Sequence, residues 1–206
     1  MRKSSKWRGR LLRWGTPVAL VFLVLAGLWY YQFGRGNFHV VTPGEAYRSA
    51  QLSEGRLAKY IDAHGIRSVI NLRFPNESAR WYQRETTLCE RLGVEHRSVP
   101  LTAFAAPTPE QVSALLTYFE TLPRPVLIHC RAGADRAGVA SALWKEVIDG
   151  ASKEEARVQL SFRYGHISWS ATGVLDDFFA AWEPSHVSGS TMDVEAPDEA
   201  MAESTP

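Results

Sequence analysis

Apolar and polar positions divide the chain into four stretches. From Thr16 to Phe33 the run TPVALVFLVLAGLWYYQF carries no charged residue. With Trp14 and Gly15 it reaches about 20 residues, the length that crosses ~30 Å of hydrocarbon as a helix. Trp29, Tyr30 and Tyr31 close the run, where amphipathic rings suit a membrane interface. A cleaved signal peptide would end in a small-x-small site rather than in bulky aromatics, and a buried core helix of this length would show a polar stripe. An uncleaved transmembrane anchor over residues 16–33 is therefore expected. It separates a basic tail (1–15) from a domain spanning 37–182, which is followed by a disordered acidic tail (183–206).

Within the domain, strand and helix patterns alternate. Phe38–Val41 and Ala46–Ser49 read as short strands. Ser53 to His64 reads as a helix with Leu52, Leu57, Tyr60 and Ile61 on its apolar side and Gly65 as its stop. Arg67–Leu72 is a β-branched strand, Ala79–Leu92 a helix closed by Gly93, and Val94–Leu101 alternates like a half-buried strand. Thr108-Pro-Glu-Gln opens a helix running to Leu122, with Thr as cap, Pro in the first turn and Gln reaching back. Pro125–Cys130 is a short apolar run of the kind found in central buried strands. Helices are expected at Arg136–Ile148, Lys153–Phe162 and Ala171–Ala181. Alternation of this kind predicts an α/β, three-layer domain: a central mixed, largely parallel sheet flanked by helices.

Composition adds little: 206 residues, 45% hydrophobic, 22% charged, net charge +1. No strongly basic face is implied, so nucleic acid is not an expected partner. The charge is nevertheless uneven. Arg2, Lys3, Lys6, Arg8, Arg10 and Arg13 precede the apolar run without an acid among them, whereas Asp193, Glu195, Asp198, Glu199 and Glu203 mark the end of the chain. The positive-inside bias predicts a cytoplasmic N-terminus and an exported domain, periplasmic if the source is bacterial. The two cysteines, Cys89 and Cys130, make neither a disulfide framework nor a zinc-site spacing. Neither a metal nor a cofactor is expected.

The chemistry concentrates in Val126-Leu-Ile-His-Cys-Arg-Ala-Gly-Ala-Asp-Arg-Ala-Gly. A buried strand ends at Cys130, a loop with Gly133 turns, and a helix starts near Arg136. The backbone N–H groups of Arg131, Ala132, Gly133, Ala134 and Asp135 can then converge toward a helix N-terminus and cradle an anion. Arg136 offers a planar fork that fits two phosphoryl oxygens. Helix dipole and guanidinium both favour a thiolate at Cys130, which would lie in line to attack a bound phosphate and form a cysteinyl-phosphate.

His129-Cys130-x5-Arg136 after an apolar strand resembles the signature of the protein tyrosine and dual-specificity phosphatases. Tyr47-Arg-Ser-Ala-Gln and Val69-Ile-Asn-Leu-Arg resemble the opening of small bacterial dual-specificity-like members, and the likeness spans most of Phe38 to Trp182. It implies Cys130 as nucleophile, Arg136 as phosphate clamp, 131–135 as cradle, and His129 as a supporting group that helps to set the thiolate. Two departures stand out. Ala137 occupies a position that usually carries Ser or Thr, whose hydroxyl assists the thiolate as leaving group. The upstream general-acid Asp is also missing, since no Asp lies between Ala63 and Cys130. Asp135 is the expected acid, because some relatives place an Asp just before the Arg, and Glu110 is the alternative.

Protein phosphotyrosine or related phosphoproteins are the expected substrates. A phospholipid or phosphoinositide head group is the alternative, and a pseudophosphatase that binds phosphorylated partners is a third reading. Cys89 is expected to pack, with a redox disulfide to Cys130 as the alternative. Arg48, Asn71 and Arg73 either line the site or serve as surface and capping groups. Arg163, Tyr164 and His166 read as a helix-end cluster without a role.

Overall fold

A computed structural model describes residues 17–27, 29–30 and 34–184. Residues 17–27 form a helix, α1, whose Leu20, Phe22 and Leu23 side chains are exposed. Among the described residues no helix is long and apolar enough to cross a membrane, so the anchor expected over 16–33 finds no support here. Thr16, Leu28 and residues 31–33 of that run lie outside the described residues, as do the basic tail and residues 185–206 of the acidic tail.

The domain is built in chain order from β1 (His39–Thr42), β2 (Ala46–Ser49), α2 (Glu54–His64), β3 (Ser68–Asn71), α3 (Arg80–Leu92), β4 (Glu95–Ser98), α4 (Pro109–Thr121), β5 (Val126–His129), α5 (Asp135–Val147), α6 (Lys153–Arg157), a 3-10 turn (Phe162–Tyr164) and α7 (Val174–Ala181). The sheet order is β1-β2-β5-β3-β4. β1 runs antiparallel to β2, and every other pairing is parallel. The expected mixed, largely parallel sheet is therefore present.

Side-chain alternation on the central strands generates the layers. Ala46, Ile70, Val126 and Ile128 join one core with residues of α4, α5, α6 and α7. Their neighbours Tyr47, Val69 and Leu127 join a second core with residues of α2 and α3 on the other face. α5 is the most deeply buried helix, with eight consecutive buried residues from Ala137 to Trp144. Its N-terminus is thereby held rigidly at the carboxyl ends of β5 and β2.

The helix stops follow the expected chemistry. Gly65 and Gly93 close α2 and α3 in the left-handed conformation. Thr108 and Gln111 form the capping box of α4. Two boundaries differ. The helix expected over Lys153–Phe162 ends at Arg157, because the Gln159 carbonyl and side chain both turn inward to Arg48. The helix expected from Ala171 starts at Val174. Thr172 before it gives its hydrogen-bonding capacity to Asp135 and to Ser170 instead of to a helical turn.

Candidate active site

The site lies where β5 ends, at the carboxyl edge of the parallel strands, where open α/β sheets place their ligands. Cys130 is buried directly after β5, and residues 131–134 loop from it into α5. All four loop carbonyls are drawn away from the cysteine. Gln51 N–H donates to Arg131 O at 3.2 Å. Asn37 Nδ2 donates to Ala132 O at 3.0 Å, and Arg48 Nη2 donates to Gly133 O and Ala134 O, each at 2.9 Å. A peptide whose carbonyl is pinned outward turns its N–H inward, and Gly133 N–H accordingly donates to Cys130 Sγ at 3.2 Å. The amide of Gly133 is thus aimed at the thiol in the sense that an anion cradle requires.

Gly133 is required here on two counts. Its φ is +72°, and a Cβ would come within 2.5 Å of Ala50 N and 2.6 Å of Ser49 C.

Arg136, in the first turn of α5, donates through Nη1 to Leu101 O at 3.3 Å. Its Nε is buried without a hydrogen-bond partner. A buried donor left open beside the cradle is what an incoming phosphoryl oxygen would satisfy. Arg131 is exposed at the rim. Arg73 follows β3, lies 3.5 Å over the Trp81 ring and donates to Gln51 Oε1 at 2.9 Å. Burial first, then repulsion from Arg136 and Arg131, lowers the pKa of Arg73, while Glu85 and Cys130 act in the opposite direction. Three guanidinium groups therefore share one electrostatic neighbourhood with the thiol.

Arg48 is the residue that sequence reasoning placed least well. It is fully buried in β2, and besides the two loop carbonyls it holds the Gln159 carbonyl at 2.7 Å and side chain at 2.9 Å, with its guanidinium 4.1 Å above the Tyr164 ring. Burial lowers its pKa to about 10, with Tyr164, Cys130 and Asp135 opposing the drop, so it stays charged at neutral pH. The one clue in the sequence was an arginine in the middle of a strand that is otherwise wholly buried.

His129 donates to Glu85 Oε1 (3.1 Å), as does His96 (2.9 Å), and Gln51 Nε2 reaches Glu85 Oε2 at 2.5 Å. Burial alone would raise the Glu85 pKa, but His129 by charge and hydrogen bond, then His96, hold it far below the usual carboxylate range. Nothing in the sequence had marked Glu85. Glu85, His96 and His129 bring three ligating atoms within 4.8 Å of one another, a set of the right composition for a metal ion. Each Nε2 atom is already hydrogen-bonded to the same carboxylate oxygen, so the group braces His129 from behind through that ring nitrogen.

Asp135 opens α5, and its Oδ1 lies 2.8 Å from His166 Nδ1. His166 is buried, and its Nε2 lies 2.6 Å from Asp176 Oδ2, which also leaves Asp176 Oδ1 to accept from Ser168. Burial acts to raise the Asp135 pKa, but hydrogen bonds from His166 and Thr172, the His166 charge and its own backbone N–H together bring it below the ordinary value. For His166 burial favours the neutral ring, and the two aspartates more than reverse it, so its pKa is raised. The Arg163–His166 cluster, to which the sequence assigned no role, thus supplies the partner of Asp135. Glu110 sits exposed in the first turn of α4, and its pKa is lowered by a hydrogen bond with Thr108, then by its own backbone N–H. Cys89 lies in the core on the opposite sheet face from Cys130, its pKa raised to about 12 by burial and then by Glu85. Both cysteines are free, so the disulfide alternative is not realised.

A buried thiol that accepts a loop amide at the head of a buried helix, with an arginine holding an open donor in the first turn, is the arrangement of a cysteine-dependent phosphatase. A family model described as "DSP-PTPase phosphatase fused to NAD+ Kinase" matches residues 41–171, more than half of the chain, and the chain belongs to that family. No curated protein matches it. Among solved structures it is similar to TpbA of P. aeruginosa, with TM-score 0.59, 20% identity, and coverage of 74% of this chain and 88% of that one. It is also similar to the catalytic domain of the PP-IP phosphatase SIW14 of S. cerevisiae, with TM-score 0.60, 19% identity, and coverage of 74% and 88%. Tk-PTP in its active form gives TM-score 0.50 and 23% identity over 70% and 97%. These likenesses establish the fold.

Arg48→Lys is expected to destabilise the protein by roughly 3 kcal/mol, since one ammonium cannot serve acceptors on two guanidinium arms and buried acceptors are left unpaired. Chemical denaturation measures this, and turnover should fall with it as the loop carbonyls are released. For His166, a folded pKa raised above the unfolded value of about 6.5 stabilises fully below that pH and is lost as pH rises through the folded value. The melting-temperature gap between wild type and His166→Asn should therefore be widest near pH 5.5 and narrow toward pH 9. The titratable groups facing His166 are Asp135 and Asp176. A gap that does not change with pH would show that folding leaves the pKa of the ring unshifted.

Proposed function

We propose that Cys130 is the nucleophile of a phosphoryl transfer, that Arg136 and the amides of Arg131, Ala132, Gly133, Ala134 and Asp135 hold the phosphoryl group, and that the resulting cysteinyl-phosphate is hydrolysed by water. The observation that carries this reading is the 3.2 Å bond from Gly133 N–H to Cys130 Sγ inside a loop whose carbonyls are all drawn outward. Such a cradle presents fixed dipoles to charge on sulfur and on phosphoryl oxygen, with no reorganisation during the reaction. His129 acts behind the thiol, held by Glu85. The presence of both Cys130 and Arg136 favours turnover over the pseudophosphatase reading.

Phosphorylated proteins, and phospholipid head groups as the alternative, are the substrates that the family resemblance brings forward. The solved structures of similar fold include TpbA bound to phosphotyrosine, with TM-score 0.54 and 19% identity over 70% of this chain and 89% of that one, as well as the PP-IP phosphatase. The membrane anchor and the export of the domain also belong to this proposal. They rest on the charge-free run 16–33 and the basic cluster before it.

Cys130→Ser should abolish turnover, by several orders of magnitude, while leaving the melting temperature close to wild type, because the alcohol remains protonated. Arg136→Lys should lose at least about 10²-fold in kcat, as for removal of one oxyanion donor. Near-wild-type rates in either variant would remove the assignment. For topology, a reporter active only outside the cytoplasm, fused after Trp182, should be active and a cytoplasm-only fluorescent reporter dark. The reverse pattern would place the domain in the cytoplasm.

A further inference from the structure

We propose that this site is matched to a terminal phosphoanhydride, a phosphoryl group carried on another phosphate, whose leaving group departs as an anion without receiving a proton. The proposal rests on the cysteinyl-phosphate reading above and adds the substrate class. Three observations converge on it.

The segment bordering the clamp, Val99 to Thr108, reads VPLTAFAAPT and holds no ionisable side chain. It is brought to the site by the bond from Arg136 to Leu101 O. A general acid must come within about 3 Å of the leaving oxygen, and this segment has none to offer.

The one carboxyl of the cradle, Asp135, is already taken. His166 lies 2.8 Å from it, and Asp176 holds His166 from the far side. A carboxylate engaged by His166 in this way has its pKa lowered, the opposite of the shift that would let it donate a proton near neutral pH. Glu85 is likewise occupied, accepting from His129, His96 and Gln51 behind the cradle.

The site is also richer in cations than one phosphate needs. Arg73 is oriented by Trp81 and Gln51 and feels Arg136, Arg131 and Cys130. With the terminal phosphoryl in the cradle, a second phosphate at the mouth would meet the guanidinium groups of Arg73 and Arg131.

The leaving group decides between substrate classes. A tyrosine phenol has a pKa of about 10, and alcohols lie higher still. A departing phosphate monoester has its second pKa near about 6, so it leaves as a stable dianion at neutral pH. In the first step the Cys130 thiolate forms the S–P bond, the P–O bridge breaks, and its electron pair stays on the departing phosphate. In the second, water adds to phosphorus, the S–P bond breaks, the thiolate is regenerated, and dihydrogen phosphate keeps both hydrogens of the water.

The test uses the full chain with inorganic tripolyphosphate, 4-nitrophenyl phosphate and phenyl phosphate, each also run with Cys130→Ser. Tripolyphosphate and the activated nitrophenyl ester should exceed phenyl phosphate by at least about 10²-fold in kcat/KM, the size of a missing general acid. Asp135→Asn should leave that ratio unchanged. Arg73→Gln should lower kcat/KM for tripolyphosphate at least tenfold more than for nitrophenyl phosphate. The proposal is overturned if phenyl phosphate matches tripolyphosphate, most directly if Asp135→Asn then slows phenyl phosphate alone, which makes Asp135 the acid. It is also overturned if Arg73→Gln affects both substrates alike. Activity that survives Cys130→Ser, or no turnover and no cysteinyl-phosphate by mass spectrometry on any substrate, overturns the nucleophile assignment itself and the substrate class with it.

Discussion

The site depends on one buried guanidinium. Arg48 is fully buried in β2, and its two arms bond the loop carbonyls of Gly133 and Ala134 on one side and Gln159 on the other. A charge in that position is costly to desolvate, and the four bonds made by Nη1 and Nη2 offset that cost although Nε is left without a partner. Here the partners are peptide carbonyls, so the arginine fixes backbone instead of forming an ion pair. Fixing the carbonyls outward is the same act as fixing the amides inward. The same contacts stop α6 after Arg157, so the termination of a helix and the shape of the cradle have a common cause.

Two further buried titratable groups extend this principle. Glu85 carries its charge among His129, His96 and Gln51, and thereby sets the orientation of the ring beside Cys130. His166 is buried between Asp135 and Asp176, tying the first residue of α5 to the start of α7. Each network spans elements distant in sequence and joins its carboxylates and rings through a compact set of hydrogen bonds, with His129 Nδ1 of the first network left buried without a partner. The apolar packing of α5 from Ala137 to Trp144 supplies the remaining restraint. The cradle is therefore held from below by packing and from the sides by charge.

Much of this was legible in the residues. Strand and helix order, the parallel core, the capping box at Thr108 and the helix stops at Gly65 and Gly93 follow from local chemistry, and Cys130, Gly133 and Arg136 follow from spacing within one strand-loop-helix unit. The partners of that unit were not legible, because they come from 30 to more than 100 positions away and carry no local pattern. Asn37 reaches Ala132 across 95 residues and Arg48 reaches Gln159 across 111. Glu85 looked like one more acid on an amphipathic helix, and His166 like a helix-end residue. Sequence periodicity reports which face of an element is buried. It does not report which buried polar groups will meet.

The two departures from the family pattern acquire a common physical meaning in this setting. Ala137 is fully buried in the core beneath the cradle, so a methyl group stands where a hydroxyl would have helped the thiolate to depart. The segment before α4 likewise offers apolar side chains where a proton donor would have helped the substrate's leaving group. Both changes remove hydrogen-bond assistance to a departing atom, one in each half of the reaction. On the proposed reading, what is left to stabilise departing charge is fixed and cationic: the loop amides, Arg136, and the neighbouring Arg73 and Arg131. A site so arranged gains most from substrates that bring their own negative charge and least from neutral esters, whose leaving atoms need a proton at the moment the bond breaks.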